Sequence, residues 1–300
     1  MPTLPGVHLK DEITKISQRI KELGSGRRVD RHVWDKVELA RHPKRPYSLD
    51  YIQHMFSGFI ELRGDRLFAD DPAIIGGLAS YHGRTIMVVG HQKGRDLAAR
   101  TRRNFGMPRP EGYRKAQRLM NLASKFGIPV LTLIDTPGAY PGVAAEERGQ
   151  GGAISSTLMC MARLDVPTVS VIIGEGGSGG ALALALTDRV LMLENSIYSV
   201  ISPESCAAIL WKDSDEAQLA AQTLRLTSAE LLDLEIIDGV LPEPRGGAHR
   251  DHASAARILK DALEENLRDL ETAHPRRRKK ERHEKFRRMG VWREHGLTLF

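Results

Sequence analysis

The sequence predicts an α/β domain with largely parallel strand pairing, and three observations carry the prediction. Short apolar runs such as "IPVLTLID" and "VPTVSVII" alternate with longer amphipathic stretches, the pattern of strands buried on both faces with helices packed over them. Two glycine-rich turns, "IDTPGAYPG" (134–142) and "GEGGSGG" (174–180), follow consecutive buried runs, and strand ends of such sheets are where ligands bind. Three hundred residues with 41% hydrophobic content are enough for one large core or two small ones.

Taken in order, residues 9–23 set Ile13, Ile16, Ile20 and Leu23 at three- and four-residue steps, one apolar stripe on a charged helix. The stripe is too short for a free coiled coil and needs something to pack on. "ARHPKRPYSLDYI" carries two prolines within four residues and reads as an irregular segment leading into a helix. "AIIGGLASYHGRTIMVVGHQ" is two β-rich runs about His82-Gly83, a hairpin. "EGYRKAQRLMNLASKFG" follows as a helix with Tyr113, Ala116, Leu119, Met120 and Ala123 on one side and Gly127 as its stop. After the strand "IPVLTLID" come a helix over about 144–163, the strand "VPTVSVII", a helix from about Gly179 and the strand "RVLMLE". Further helices fit 203–233, and "DHASAARILKDALEENLRDL" is a final amphipathic helix.

Composition narrows the function classes. Cys160 and Cys206 are the only cysteines, which gives neither a disulfide framework nor a Cys-x-x-Cys metal knuckle and predicts a reduced, cytoplasmic chain. "MPTLPGVHLKDEITK" has no apolar signal region, and the apolar run near 168–193 is too interrupted by glycines and charges to span a bilayer. The net charge of +6 sits in one place: residues 275–288, "PRRRKKERHEKFRR", hold nine Lys/Arg against two Glu, a local +7 that leaves the remainder at −1. This segment reads as a solvated or partner-facing tail ahead of a specific nucleic-acid reader.

The glycine turns admit three chemistries. Gly176-Gly177-Ser178-Gly179-Gly180 fits the G-x-S-x-G pattern of a serine-hydrolase elbow, with Ser178 as nucleophile. That reading needs a base; the downstream histidines His249, His252, His274, His283 and His295 flank the last helix or lie around the basic segment, and none is an evident triad member. Asp135 ends a strand, where a turn cap and a catalytic role both stay open. A phosphate loop needs Gly-Lys-Ser/Thr, whereas Gly180 is followed by Ala-Leu-Ala, and no dinucleotide fingerprint stands out. The third reading leaves the chemistry to the main chain: a helix opening near Gly179 exposes unpaired N–H groups, and glycine lets a substrate reach them. Five glycines in seven positions favour this reading over tight packing alone.

Six segments, "LARHPKRPYSLDYI", "GHQKGRD", "RRNFGMPRPEGYRKAQRLM", "IDTPGAYPGVAAEERGQ", "GEGGSGGALALAL" and "YSVISPESCAAILWKD", with "LPEPRGGAHRD" after them, closely resemble the α-subunit family of bacterial acetyl-CoA carboxylase carboxyltransferases. The resemblance covers about residues 38–265 in order. It implies a crotonase-like (ClpP-like) superhelix of stacked ββα units with flanking helices, divided here into an N-terminal helical extension (1–37), a carboxyltransferase domain (38–270) and a basic C-terminal tail (271–300). It implies transfer of a carboxyl group from N1′-carboxybiotin to acetyl-CoA, giving malonyl-CoA for fatty acid synthesis. The cofactor is biotin on a carrier protein, with nothing bound covalently by this chain and zinc only in a β subunit. The implied partners are that β subunit in an α2β2 assembly, the biotin carboxyl carrier protein and biotin carboxylase, with no membrane. Carried over by position, Gly179 and Gly180 supply the oxyanion hole for the biotin ureido oxygen. Gly138, Ala139, Tyr140, Gly177 and Ser178 then shape the carboxybiotin pocket, and Arg95, Arg102, Arg103, Arg114 and Lys115 are candidate CoA or carrier contacts or a solvated helix face. The hydrolase with Ser178 as nucleophile remains the alternative, and an inactive scaffold of the same fold a third. Two departures stand out: a short segment ahead of "LARHP", and an Arg-rich tail after Pro275 without a counterpart in the resemblance.

Overall fold

The computed structural model describes residues 31–290, so the helix expected over 9–23 and His295 lie outside the described residues. Helix α1 (Arg31–Ala40) runs through the proline-broken segment into α2 (Ser48–Met55). Strand β1 (Ser57–Glu61) precedes the hairpin of β2 (Ile74–Tyr81) and β3 (Arg84–His91). His82 (φ 47°) and Gly83 (φ 78°) both take left-handed backbone, the two-residue turn whose twist suits antiparallel strands. Short α3 (Leu97–Arg102) follows, then α4 (Pro110–Phe126), which opens on proline and stops at left-handed Gly127 as its spacing predicts.

Strand β4 (Val130–Thr136) is buried at every position. The single helix expected over about 144–163 is split into α5 (Val143–Glu147) and α6 (Gln150–Arg163), because Gly149 turns left-handed between them (φ 78°). Strand β5 (Thr168–Gly177) enters α7 (Ser178–Leu182), followed by β6 (Arg189–Leu193) and β7 (Ile197–Ser199). The helical region 203–233 is α8 (Pro203–Leu210), α9 (Ala217–Leu224) and α10 (Ser228–Asp233). Strand β8 (Gly239–Leu241) precedes α11 (His252–Thr272).

One sheet holds all eight strands of the described residues in the order β1-β2-β3-β4-β5-β6-β8, with β7 paired to β5; β1, β2 and β3 pair antiparallel and the rest parallel. Successive side chains feed two cores. Val169, Val171 and Ile173 face Tyr51 and Met55 of α2 and Leu259, Leu263 and Leu267 of α11. On the other face Ile172 joins Leu119 and Met120 of α4 and Met161 of α6. The parallel strands thus bring the ends of β3, β4 and β5 to one rim of the sheet.

The basic segment is not a free tail. It forms α12 (Pro275–Arg288), and Arg278 and Arg282 are 4% and 2% exposed. Arg282 donates to the Asp188 carboxylate (2.8 Å), to the Leu164 carbonyl (2.7 Å) and to the Met161 carbonyl. Arg278 donates to the carbonyls of Leu270 (2.9 Å) and Ala273 (3.0 Å) and to that of Asp165. The guanidinium groups thereby add donors to carbonyls at the ends of α6 and α11, where a helix runs short of its own N–H partners. Counting charges along the chain cannot separate such anchors from solvated arginines.

Candidate active site

The two glycine turns meet backbone to backbone. Thr136 pairs in register with Gly176, and its hydroxyl clamps the Gly138 peptide, donating to the Gly138 carbonyl (2.8 Å) and accepting from the Gly138 N–H (3.1 Å). The Tyr140 N–H donates to the Pro108 carbonyl (3.0 Å), while the Gln150 amide donates to the carbonyls of Pro108 and Tyr140 (2.9 Å each). Gly138, Ala139 and Tyr140 are therefore a fixed loop facing α7.

A methyl group built on each glycine separates packing from access. At Gly177 it would stand 2.1 Å from the Pro137 oxygen, and at Gly174 2.6 Å from the Asp135 carboxylate. At Gly176 it would stand 2.9 Å from the Tyr198 ring, and at Gly180 2.6 Å from the Gly138 carbonyl carbon. These four positions favour glycine because backbone passes so close at Gly177 and Gly180, and packed side chains at Gly174 and Gly176. A side chain at Gly180 would first displace the facing loop. Gly179 differs. A methyl there meets only Ile154, at 3.8 Å, an ordinary contact. Gly179 lines an apolar cavity of about 400 Å³ together with Ser178, Leu182, Tyr198, Val200 and Phe286. Because α7 starts at Ser178, its first N–H groups have no carbonyl one turn back to bond.

Ser178 takes left-handed backbone (φ 52°), which a non-glycine residue adopts at some strain. A nucleophile would need a base within reach, and the described downstream histidines are held elsewhere. His249 stacks on His42 (4.0 Å between centroids), and His252 bonds the Lys44 carbonyl (2.8 Å). His274 caps α12 and His283 bonds the Ala162 carbonyl (2.8 Å). The hydrolase alternative finds no support here.

Beneath the turns lies a charge cluster that sequence reading did not assemble. Lys93, just past β3, donates to Asp135 (2.7 Å) and Glu175 (3.3 Å); the Glu175 N–H donates to the same Asp135 oxygen (3.0 Å). Arg41 donates to Glu175 (2.7 Å) and Glu204 (2.6 Å). Burial opposes the charge on Lys93, yet Asp135 and Glu175 outweigh it and hold the ammonium above its ordinary range. Burial likewise opposes the Glu175 charge, and Lys93 and Arg41 outweigh it, keeping the carboxyl below its ordinary range. His91, fully buried on β3, turns its ring toward the carbonyls of Leu133 and Gly180 without a hydrogen bond to either, and burial followed by the Lys93 charge pushes it down to about 3. Asp135 is thus a strut between strands, neither a mere turn cap nor a triad acid. Only "GHQKGRD", with its lysine at a strand end, signalled this cluster in one dimension.

The five cations proposed for CoA or carrier separate. Arg114 is paired with Asp65 (2.8 Å), and Lys115, 1% exposed, is bound to Asp70 and to the Asp71 carbonyl (2.8 Å); both are internal anchors. Arg103 donates to the Pro72 carbonyl (2.6 Å), and Arg95 pairs with Asp50 and lies 4.7 Å from the Tyr47 ring centroid. Arg102 faces solvent at the end of α3. A helical-face count could not distinguish these, because their partners lie more than 30 positions away in sequence. Among the described residues no group of three or more His, Cys, Asp or Glu could hold a metal ion, and no helix is long and apolar enough to cross a membrane.

The family described as acetyl co-enzyme A carboxylase carboxyltransferase-like matches residues 3–290. That span includes α12, so the Arg-rich segment after Pro275 lies within the family match. The acetyl-coenzyme A carboxylase carboxyl transferase subunit α of a Thermus thermophilus strain is 54% identical over 96% of this chain and 93% of its own length. The corresponding subunit of an Azoarcus species is 53% identical over 96% and 90%. Among solved structures, the Pseudomonas malonate decarboxylase MdcD-MdcE hetero-dimer superposes with a TM-score of 0.61 at 18% identity, over 80% of this chain and 97% of that one. The transcarboxylase 12S core gives 0.57 at 20% identity, over 76% and 44%. At such identities the likeness establishes the fold alone, and it is the crotonase-like α/β fold expected.

Proposed function

The chain belongs to the acetyl-CoA carboxylase carboxyltransferase-like family, and on that premise we propose that it acts as the α subunit of such an enzyme, with the Gly179 and Gly180 amides as its oxyanion hole. It is an enzyme subunit of the biotin-dependent carboxyltransferase class, completing malonyl-CoA formation together with a β subunit. Carboxybiotin arrives as substrate on its carrier and supplies both the carboxyl group and a base for the acetyl α-proton. This chain's task is electrostatic. Negative charge grows on the ureido oxygen during transfer, and fixed N–H donors placed there contribute about 3 kcal/mol each.

The single observation that carries the reading is Gly179. It is the glycine of the turn that packing does not require, it borders the apolar cavity, and it lies in the unpaired first turn of α7. The cavity suits the largely apolar ring system of biotin, with Leu182, Tyr198 and Val200 as its walls. No side-chain base is demanded of this chain, in keeping with histidines that are engaged elsewhere. The α2β2 assembly, a β subunit holding zinc, the carrier and carboxylase partners and a cytoplasmic site of action complete the proposal.

The test is reconstitution. The chain is mixed with a family β subunit and biotinylated carrier, and malonyl-CoA formation is followed in a coupled assay. Activity with α plus β and none with α alone supports the reading. Activity of α alone toward ester or thioester substrates, abolished by a serine-directed covalent probe, overturns it.

A further inference from the structure

We propose that Lys93 is a positioning residue of this site: its ammonium ties together the carboxylates at the roots of the two glycine turns and so sets the spacing of the α7 amides against the Thr136–Tyr140 loop. The inference rests on the functional reading above.

Asp135 immediately precedes Thr136, and Glu175 immediately precedes Gly176, so each carboxylate stands where its strand hands over to its turn. Lys93 reaches both, at 2.7 and 3.3 Å, from the end of the neighbouring strand. One ammonium therefore spans the ends of β3, β4 and β5. The joint has no slack. A methyl at Gly106 would come within 2.6 Å of the Lys93 side chain, and one at Gly174 within 2.6 Å of Asp135. Arg41 holds the other Glu175 oxygen and carries the chain of ion pairs on to Glu204 at the start of α8.

Stability alone does not call for this arrangement. Buried ion pairs are often matched or bettered by apolar groups of the same volume, because desolvating charges is costly. Their distinctive property is directional: the lysine holds two carboxylates that would otherwise repel each other, and it holds them at one separation. Hole donors act only when kept within about 0.5 Å of their productive geometry. Without the ammonium, Asp135 and Glu175 share only the single Glu175 N–H contact, and like charges drive the turn roots apart. A proton can replace a missing cation between two carboxylates. The other titratable or charged groups facing the cluster are Arg41, Glu204, Tyr47, Tyr51 and His91, and burial holds Tyr51 well above its ordinary value. Burial raises Tyr47 above its ordinary value and lowers His91 to about 3, so neither changes charge near neutrality.

The experiment uses the reconstituted α–β complex with biotinylated carrier, comparing wild type, Lys93→Met and Lys93→Arg between about pH 6 and pH 8. Lys93→Met is expected to lower kcat about 100-fold at pH 8, with KM for acetyl-CoA and complex assembly little changed. The deficit relative to wild type should shrink several-fold toward pH 6, and Lys93→Arg should restore kcat to within about tenfold of wild type. Lys93→Met retaining more than half of kcat overturns the proposal. So does a pH-independent deficit that Lys93→Arg fails to relieve. Should Lys93→Met not assemble, Asp135→Asn takes its place: a loss in kcat with unchanged KM supports the proposal, and wild-type kcat overturns it. A wild-type complex that makes no malonyl-CoA defeats the functional reading instead, which keeps the two failures distinct.

Discussion

Replacing Gly179 tests the backbone hole without disturbing the loops that frame it. The methyl of Gly179→Ala finds Ile154 at 3.8 Å and nothing nearer, so no atom has to move. Exchanging glycine for alanine within a helix is itself favourable by roughly 0.5–1 kcal/mol. The midpoint of thermal unfolding should therefore stay level or rise. Transfer should fall, because the added carbon stands beside the amide that the ureido oxygen has to reach. Loss of one such donor lowers kcat by about 10²–10³-fold, so Gly179→Ala should lose part of that range and the bulkier Gly179→Val all of it. Gly180→Ala is the contrast. Its methyl would lie 2.6 Å from Gly138 and 2.7 Å from Ala139, and ordinary contact requires the facing loop to retreat by roughly 0.8 Å, beyond the tolerance of a hole. That variant should lose activity and stability together. The assay is malonyl-CoA formation by the α–β complex, with calorimetry of each variant. Gly179→Val with more than half of wild-type kcat would refute the reasoning.

Three further outcomes are expected. Ser178→Ala should keep kcat within about threefold of wild type in the same assay, since removing a true nucleophile costs about 10⁶; a collapse of that size would restore the hydrolase reading. Arg282→Met leaves Asp188 buried without its main cation and should lower unfolding free energy by about 3–5 kcal/mol, measured by urea denaturation; an unchanged midpoint would mean that α12 is not anchored as described. Asp71 is pushed up to about 6 by burial, against the lowering effect of the Ala73 and Arg109 N–H groups. Its folded form therefore binds a proton that the unfolded chain has already released, so its contribution to stability is complete below about pH 4 and lost as pH rises through 6. The stability of wild type relative to Asp71→Asn should fall by on the order of 3 kcal/mol between pH 4 and pH 7 and then level off; a rise over that interval would contradict the sign.

Sequence by itself determined the elements whose signals are local. The hairpin at His82-Gly83, α4 with its glycine stop, the buried strands β4 and β5 and the amphipathic α11 all follow from periodicity and turn chemistry within a dozen or so residues. Gly179 and Gly180 were visible in the same way, as a glycine turn between a buried strand and a helix. Strands β1, β7 and β8 escaped because three to five partly exposed residues carry too little pattern to register. What the tertiary structure decided was which side chains share a partner. Lys93, Asp135 and Glu175 are 40 or more positions apart and meet only because parallel strands end on one rim. The same holds for Lys115, which looked available to a phosphate until Asp70 was seen beside it, and for Arg282, which looked solvated until α12 folded back onto α6. Nor could composition tell which of five clustered glycines makes room for a neighbouring chain and which for a substrate. That distinction is a matter of atoms a few ångströms away, contributed by residues remote in sequence.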